Sequence, residues 1–207
     1  MKCLLLFCGL LSLQSTAFAT IRYVRQGGTG TQTGVNWANA SSDVQLMINQ
    51  SSATVVDTIY LAAGTYLPTR PANNLNTIDA TNRNNAFTFI KNVRIYGGFP
   101  STGNPGWAAR NWRTNVSRLS GNIGNAGSSD NCYHVVATLG STVTANFVMD
   151  GVTVSDGNAI VATSITVNGI NLQERFGAGW NNTGGSPTLR NLIFETNAIS
   201  EGTGFGV

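Results

Sequence analysis

The stretch from Ser42 to Tyr66, SDVQLMINQSSATVVDTIYLAAGTY, decides how the rest of the chain is read. Ser42 can cap a short helix, with Gln45 three residues on reaching back as in a capping box. Val44, Met47 and Ile48 fall at i, i+3 and i+4 and make one apolar stripe, leaving Asp43, Gln45 and Asn49 facing outward. A helix of about two turns does not stand alone in water, so the stripe has to be buried against something. The segment from Asp57 to Ala63 then alternates, with Ile59 and Leu61 pointing one way and Thr58 and Tyr60 the other, until Gly64 ends it. Downstream the chain repeats the strand half and not the helix half. A helix resting on the first of a row of strands hides an edge that would otherwise recruit other chains. The expectation is an all-β solenoid with its open end plugged by residues 42–50. An αβ unit from a Rossmann-like sheet fits less well, because no second capped helix follows.

Working outward, Ile21–Val24 reads as a strand, and the GGTGTQTG run after it as a connecting turn. That run lacks the Gly-Lys-Ser/Thr ending of a phosphate loop. After Tyr66, the polar stretch from Leu67 to Asn85 reads as a long excursion. Ala86–Ile90 and Val93–Tyr96 are alternating strands, the second stopped by Gly97-Gly98. Phe99–Ser117 is a second excursion, carrying Trp107, Arg110, Trp112 and Arg113. Arg118–Ile123, Tyr133–Thr138, Ala145–Ser155, Ile165–Leu172 and Thr188–Phe194 continue the series. Short strands separated by loops of very unequal length suit a solenoid better than a sandwich.

Internal repetition is the stronger signal. Val148-Met-Asp-Gly-Val-Thr-Val154 lies on Thr188-Leu-Arg-Asn-Leu-Ile-Phe194, forty positions away, and Asn158-Ala159 on Asn197-Ala198, thirty-nine away. Val93–Gly97 fits the beginning of the same pattern. Gly177-Ala-Gly-Trp180 recurs as Gly202-Thr-Gly-Phe205 after twenty-five positions, about one coil of a parallel β-helix. Asn158 and Asn197 are expected at equivalent bends, tying down the backbone of their own turns. The chain ends where another coil should begin, so a truncated sequence or a partner covering that edge is expected.

Composition agrees. Only 10% of the 207 residues are charged, the net charge is +3 and glycine is abundant at 24, which is poor helix material and good strand-and-turn material. The arginines are scattered, so no nucleic-acid footprint emerges. Residues 1–19 read as a secretory signal peptide, with Lys2, an apolar run from Leu4 to Leu13 and an Ala17-Phe-Ala19 cleavage site. The run is too short to span a bilayer, and no other segment could cross one. Residues 20–207 then form one β-helix domain, incomplete at its C-terminal end. Cys3 and Cys8 leave with the peptide. Cys132 remains alone, so no internal disulfide framework can form, and a buried apolar role is expected for it.

The segments DTIYLAAGTY, NVRIYGGF, DNCYHVV, FVMDGVTVSDGNA and SPTLRNLIFETNAI resemble secreted right-handed parallel β-helix proteins of Bacteroidota, in the pectin-lyase-like superfamily. Phe194-Glu-Thr-Asn197 is similar to the Phe-x-x-Asn element of polymorphic outer membrane proteins, and Gly177-Ala-Gly-Trp180 to a loose Gly-Gly-Ala-Ile element. The resemblance implies a right-handed parallel β-helix secreted to the extracellular space or the outer-membrane surface. It implies no particular activity; members usually run longer and often carry a C-terminal sorting domain.

Both lyases and hydrolases occur on this superfamily. A lyase needs carboxylates holding Ca²⁺ against the substrate acid and a base for the α proton, and a hydrolase needs two facing carboxyls. The chain offers Asp130, Asp150, Asp156, Glu174 and Glu195, with Arg175 and Arg190 as possible bases. Asp150, Asp156 and Arg190 are the candidates, with Asp150 and Arg190 at equivalent repeat positions, but no paired-Asp element or clustered calcium set accompanies them. Asp150-Gly151 and Asp156-Gly157 are more simply turns. His134, the one histidine, reads as structural, for lack of triad or metal partners. The aromatic set Trp107, Trp112, Trp180 and Phe205 is the best binding feature. Aromatic rings stack on sugar faces, and Arg110 and Arg113 could pair with uronate or sulfate. Alternatively the excursion tryptophans pin their loop to the coil. The expected function is a non-catalytic surface scaffold or adhesin-like module binding polysaccharide or a host glycan, without cofactor, metal, nucleic acid or membrane span. The alternative is a polysaccharide lyase or glycoside hydrolase whose active coils lie beyond this fragment, for which Ca²⁺ would be needed if a lyase.

Overall fold

In a computed structural model, which describes residues 18–125 and 127–199, the helix and the strands fall where the apolar periodicity changes. Residues 1–17 of the signal-peptide reading, with Cys3 and Cys8, lie outside the described residues, as does the Gly202–Phe205 repeat. Strand β1 (Ile21–Val24) is followed by α1 (Val44–Gln50), β2 (Thr58–Ala62) and β3 (Gly64–Tyr66). Then come β4 (Phe87–Phe89), β5 (Arg94–Phe99), β6 (Ser117–Ser120), β7 (Val136–Leu139), β8 (Val148–Asp150), β9 (Val152–Ser155) and β10 (Asn158–Ala159). A hairpin of β11 (Ser164–Val167) and β12 (Ile170–Gln173) precedes β13 (Trp180–Thr183), β14 (Thr188–Arg190), β15 (Ile193–Glu195) and β16 (Ala198–Ile199).

Hydrogen bonding sorts most of these strands into three parallel sheets. The first is ordered β1-β2-β5-β8-β14, the second β3-β6-β9-β15 and the third β4-β7-β13, while β10 pairs with β16. From β2 onward the chain visits the three sheets in turn and re-enters the first one strand further along. Rungs from successive visits therefore stack in rows: Ile59, Ile95, Met149 and Leu189 in the first sheet, Tyr66, Leu119, Val154 and Phe194 in the second. Except at the β14–β15 end, where Leu189 and Phe194 stay exposed, these rows are buried in one apolar cluster with Phe87, Phe89, Phe147 and Trp180.

The forty-residue repeat is visible in the backbone. Val148 pairs with Thr188 and Val154 with Phe194, as expected from sequence. The bend between β8 and β9 is made by Gly151 at φ 73°, and the bend at the same repeat position between β14 and β15 by Asn191 at φ 50°. Asp156 (φ 65°) and Thr196 (φ 53°) form a second such pair. A left-handed residue at each bend turns the strand out of one sheet and into the next. The second part of the alignment slips by one residue: Asn158 pairs with Ala198, and Asn197 stands beside Gly157. Asn197 accepts from the Gly157 amide at 2.9 Å and donates to the Val154 carbonyl at 3.0 Å, so it ties two visits together rather than its own turn.

Two other expectations are corrected. Residues 165–172 are not a rung of the parallel series. They form the antiparallel pair β11–β12, turned by Asn168 (φ 48°) and Gly169 (φ 78°), the left-handed pair that a two-residue hairpin requires. Nor do Gly97 and Gly98 stop β5, which runs through to Phe99. A side chain at Gly97 would place its Cβ 2.4 Å from the Gly151 carbonyl oxygen, so the glycine is there for close approach of two rungs.

The helix packs on β1 and β4, the strands at one edge of the first and third sheets. Val44, Met47 and Ile48 enter the main core as the stripe requires. Its N-cap is Asp43, not Ser42: the carboxylate accepts from the Leu46 amide at 2.8 Å and is held by Arg70 at 2.5 Å, while the Ser42 hydroxyl donates to Gln32. A charged acceptor already fixed by a cation is the stronger cap. At the other end Arg22 donates to the Gln50 carbonyl at 2.7 Å and Lys91 to that of Asn49 at 3.0 Å, cations where the helix dipole is negative.

Gln45 does not face solvent. It is buried, its Oε1 accepting from the Thr88 amide at 2.8 Å and its Nε2 donating to the Thr88 carbonyl at 3.1 Å. The side-chain amide thus satisfies one residue of the β4 edge as a neighbouring strand would. Gln45→Ala leaves a buried N–H and C=O unpaired, and a loss of roughly 2–4 kcal/mol is expected, given about 1–3 kcal/mol per orphaned group. Chemical denaturation would measure it, and a loss below about 0.5 kcal/mol would show that water replaces the amide.

Two further apolar clusters sit on the outside. One, with Ala72, Ala86, Ala137, Leu139, Val167 and Leu172, covers the outer side of the third sheet with the 67–85 excursion and the hairpin. That is why β7 is buried on both faces. The other, Trp37, Ala40, Ala62 and Phe99 with Tyr23, Tyr60 and Tyr96, lies on the outer face of the first sheet. No helix among the described residues is long and apolar enough to cross a membrane.

Candidate functional site

Along the outer face of the first sheet one row reads Tyr23, Tyr60, Tyr96, Asp150, Arg190 on β1, β2, β5, β8 and β14. The tyrosine centroids are 5.7 Å and 6.2 Å apart, in edge-to-face contact. Such pairs are each worth about 0.5–1.5 kcal/mol beyond area burial. Two loops rise beside the row. One brings Trp37, whose ring meets Tyr23 at 4.9 Å; the other brings Trp107, at 5.8 Å from Tyr60 and 5.1 Å from Tyr96. The Trp37 indole N–H donates to the Pro105 carbonyl at 2.8 Å and links the loops. Between them lies an open cleft of about 430 Å³, with Tyr23 and Tyr60 below, Asn36 and Trp37 on one side and Asn104, Pro105 and Trp107 on the other. Trp37 is buried, whereas Trp107 is 52% exposed.

Of the residues selected from sequence, Trp107 lines the cleft and Arg110 stands beside it, 5.2 Å from the Trp107 ring. Arg110 is committed elsewhere: Nε donates to the Gly97 carbonyl at 2.7 Å, and Nη2 to the Asp150 carbonyl at 3.0 Å and carboxylate at 2.7 Å. Trp112 does not line it. Its backbone fits against Gly98, where an added Cβ would come within 2.7 Å, and its ring carries the Arg113 guanidinium at 4.3 Å. Trp180 is not a surface group either. It is buried, packs on Phe147 and donates to the Thr138 hydroxyl at 2.9 Å. Phe205 lies outside the described residues. Sequence reading missed Tyr23, Trp37, Tyr60 and Tyr96. The outward places of the three tyrosines in alternating strands were legible, but only the register puts them in one row, and Trp37 reaches it from a loop.

The catalytic candidates are not assembled into one site. Asp150 and Arg190 do face each other in register, yet Asp150 accepts from Arg110 and, at 2.9 Å, from Asn191. Asp156 sits just past the end of β9, in the second sheet, where it accepts the hydroxyls of Ser155 (2.6 Å), Ser120 (2.7 Å) and Thr196 (2.7 Å). Burial pushes its pKa up, but these hydroxyls and Arg118 outweigh it, and the carboxyl is held below its usual range. Such a carboxylate is a poor general acid at neutral pH. Among the described residues no group of three or more His, Cys, Asp and Glu is placed to hold a metal ion. Burial drives the Cys132 thiol up to about 12, so it is protonated and unreactive. His134 is buried as well, its Nδ1 3.1 Å from the Gly177 carbonyl.

Comparisons of the chain with models of known families, with characterised proteins and with solved structures find no match.

Proposed function

We propose that the chain is a secreted, right-handed parallel β-helix protein that acts at the cell surface as a non-catalytic scaffold or adhesin-like module and binds glycan. The cyclic order in which the chain revisits its three parallel sheets supports the helical reading. The strong preference of parallel crossovers for one hand supports a right-handed coil. The signal-peptide pattern of residues 1–19 supports secretion. One observation carries the binding function: an exposed tryptophan over a row of tyrosines, walled by two linked loops. Flat aromatic surface with polar edges is what sugar rings, with their apolar C–H faces and peripheral hydroxyls, pack against.

A glycan array tests this directly. Trp107→Ala is expected to lower the signal at least about tenfold, on the order of the 1.4 kcal/mol that one lost stacking contact represents. Trp112→Ala, outside the cleft, is expected to leave it within about twofold. Binding that survives Trp107→Ala would take the cleft out of the function.

A further inference from the structure

We propose that this cleft accepts an uncharged pyranose of a neutral polysaccharide and does not select for uronate or sulfate groups, an inference that rests on the glycan-binding reading above. Among the described residues its lining contains no Asp, Glu, Lys or Arg. The arginine nearest the Trp107 wall, Arg110, is paired with the Asp150 carboxylate and two carbonyls, so its charge is compensated within the fold. Arg25 lies 5.4 Å from the Trp37 ring and donates to the Gly103 carbonyl at 2.8 Å, bracing the loop instead of lining the cleft. An anionic sugar would have to shed water from its charge without a cation in the lining to replace it, a cost that an uncharged sugar does not meet.

What the lining does offer is aromatic surface and neutral hydrogen-bonding groups. Asn36 and Asn104 supply amides, and Tyr60 supplies a phenol whose pKa is raised by burial and by neighbouring Tyr23 and Tyr96, so it stays a neutral donor. The Asn36 Oδ1 is taken by Asn39, which leaves the NH₂ group of that amide as the donor for a ligand hydroxyl. The volume lies toward the small end of the roughly 300–1,000 Å³ typical of ligand sites, which suits one or two sugar rings of a longer chain.

The probes are hexasaccharides of neutral glucan, mannan and galactan, with an oligogalacturonate and a sulfated galactan of equal length. Each is titrated against the folded protein by calorimetry and tryptophan fluorescence. At least one neutral probe is expected to bind about tenfold tighter than either anionic one. Its Kd should change less than about twofold when NaCl rises from about 50 to 500 mM, because no ion pair is screened. Trp107→Ala should weaken it at least about tenfold. Tighter binding of the anionic probes, with steep salt dependence, would overturn this inference and leave glycan binding standing. Failure to bind any probe, or affinity unchanged in Trp107→Ala, would overturn both.

Discussion

Phe147→Ala is expected to destabilise the fold by about 3–5 kcal/mol, the usual cost of deleting a buried aromatic ring. Phe147 is fully buried, with its ring centroid 4.9 Å from Phe89 and 6.0 Å from Trp180, both edge-on. Its backbone cannot follow the loss inward. The Phe147 carbonyl accepts from Thr188 at 2.9 Å and the next residue, Val148, donates to Val93 at 3.2 Å, so the segment is pinned to the visits on either side. The void therefore stays open, and the cavity cost adds to the lost transfer free energy. Urea denaturation of the variant should show a lower midpoint at unchanged slope. Phe147→Leu, which refills most of the space, should cost about half as much, and Ile160→Ala, exposed, less than about 0.5 kcal/mol. A cost near that of Ile160→Ala at position 147 would mean the interior is loosely packed.

Acid is expected to unfold the protein partly through His134. Burial lowers its pKa from 6.5 to about 4, with the nearby Gly177 and Gln173 carbonyls pulling the other way. Nδ1 faces the Gly177 carbonyl and so carries the proton of the neutral ring, and Nε2 is buried with no hydrogen-bond partner among the described residues. A second proton would have to sit on that nitrogen. Below pH 6.5 the unfolded chain takes up a proton that the folded chain refuses, so stability present above that pH is lost as pH falls toward 4. The loss by about pH 4 is on the order of 3 kcal/mol, since each tenfold difference in proton affinity between the folded and unfolded chain corresponds to about 1.36 kcal/mol. Asp156 also releases stability in acid, since its folded pKa is depressed. Comparison with His134→Gln separates the two, because Asp156 titrates in both proteins. The stability gap between wild type and variant should narrow by about 3 kcal/mol between about pH 7 and pH 4. A gap independent of pH would assign the acid sensitivity elsewhere.

Several elements were legible in the sequence because their signals are local. The 44-47-48 stripe, the alternation in 58–62, and the 148–154 to 188–194 repeat all reappear as α1, β2 and paired rungs. Gly151 and Asn191 mark equivalent bends because both residue types tolerate the left-handed conformation. The misreadings share a different cause. Gln45 looked outward on the helical wheel, but the Thr88 edge it satisfies is forty-three residues away. The 165–172 segment alternates like a rung, and only its Asn-Gly turn marks a hairpin. Trp180 belongs to the same residue class as Trp107 yet points inward, where Phe147 meets it.

Sequence alone was enough to locate the α-helix, the strands β1, β2 and β5, and the likeness of the 148–154 and 188–194 units, since propensity and periodicity act between residues a few positions apart. Only the folded contacts settle which outer faces are covered, which tyrosines share a row, and that Arg110 pairs with Asp150 while Trp107 stays half exposed. Those outcomes depend on register and on where long excursions fold back, and such contacts join residues whose chain separation carries no local pattern to read.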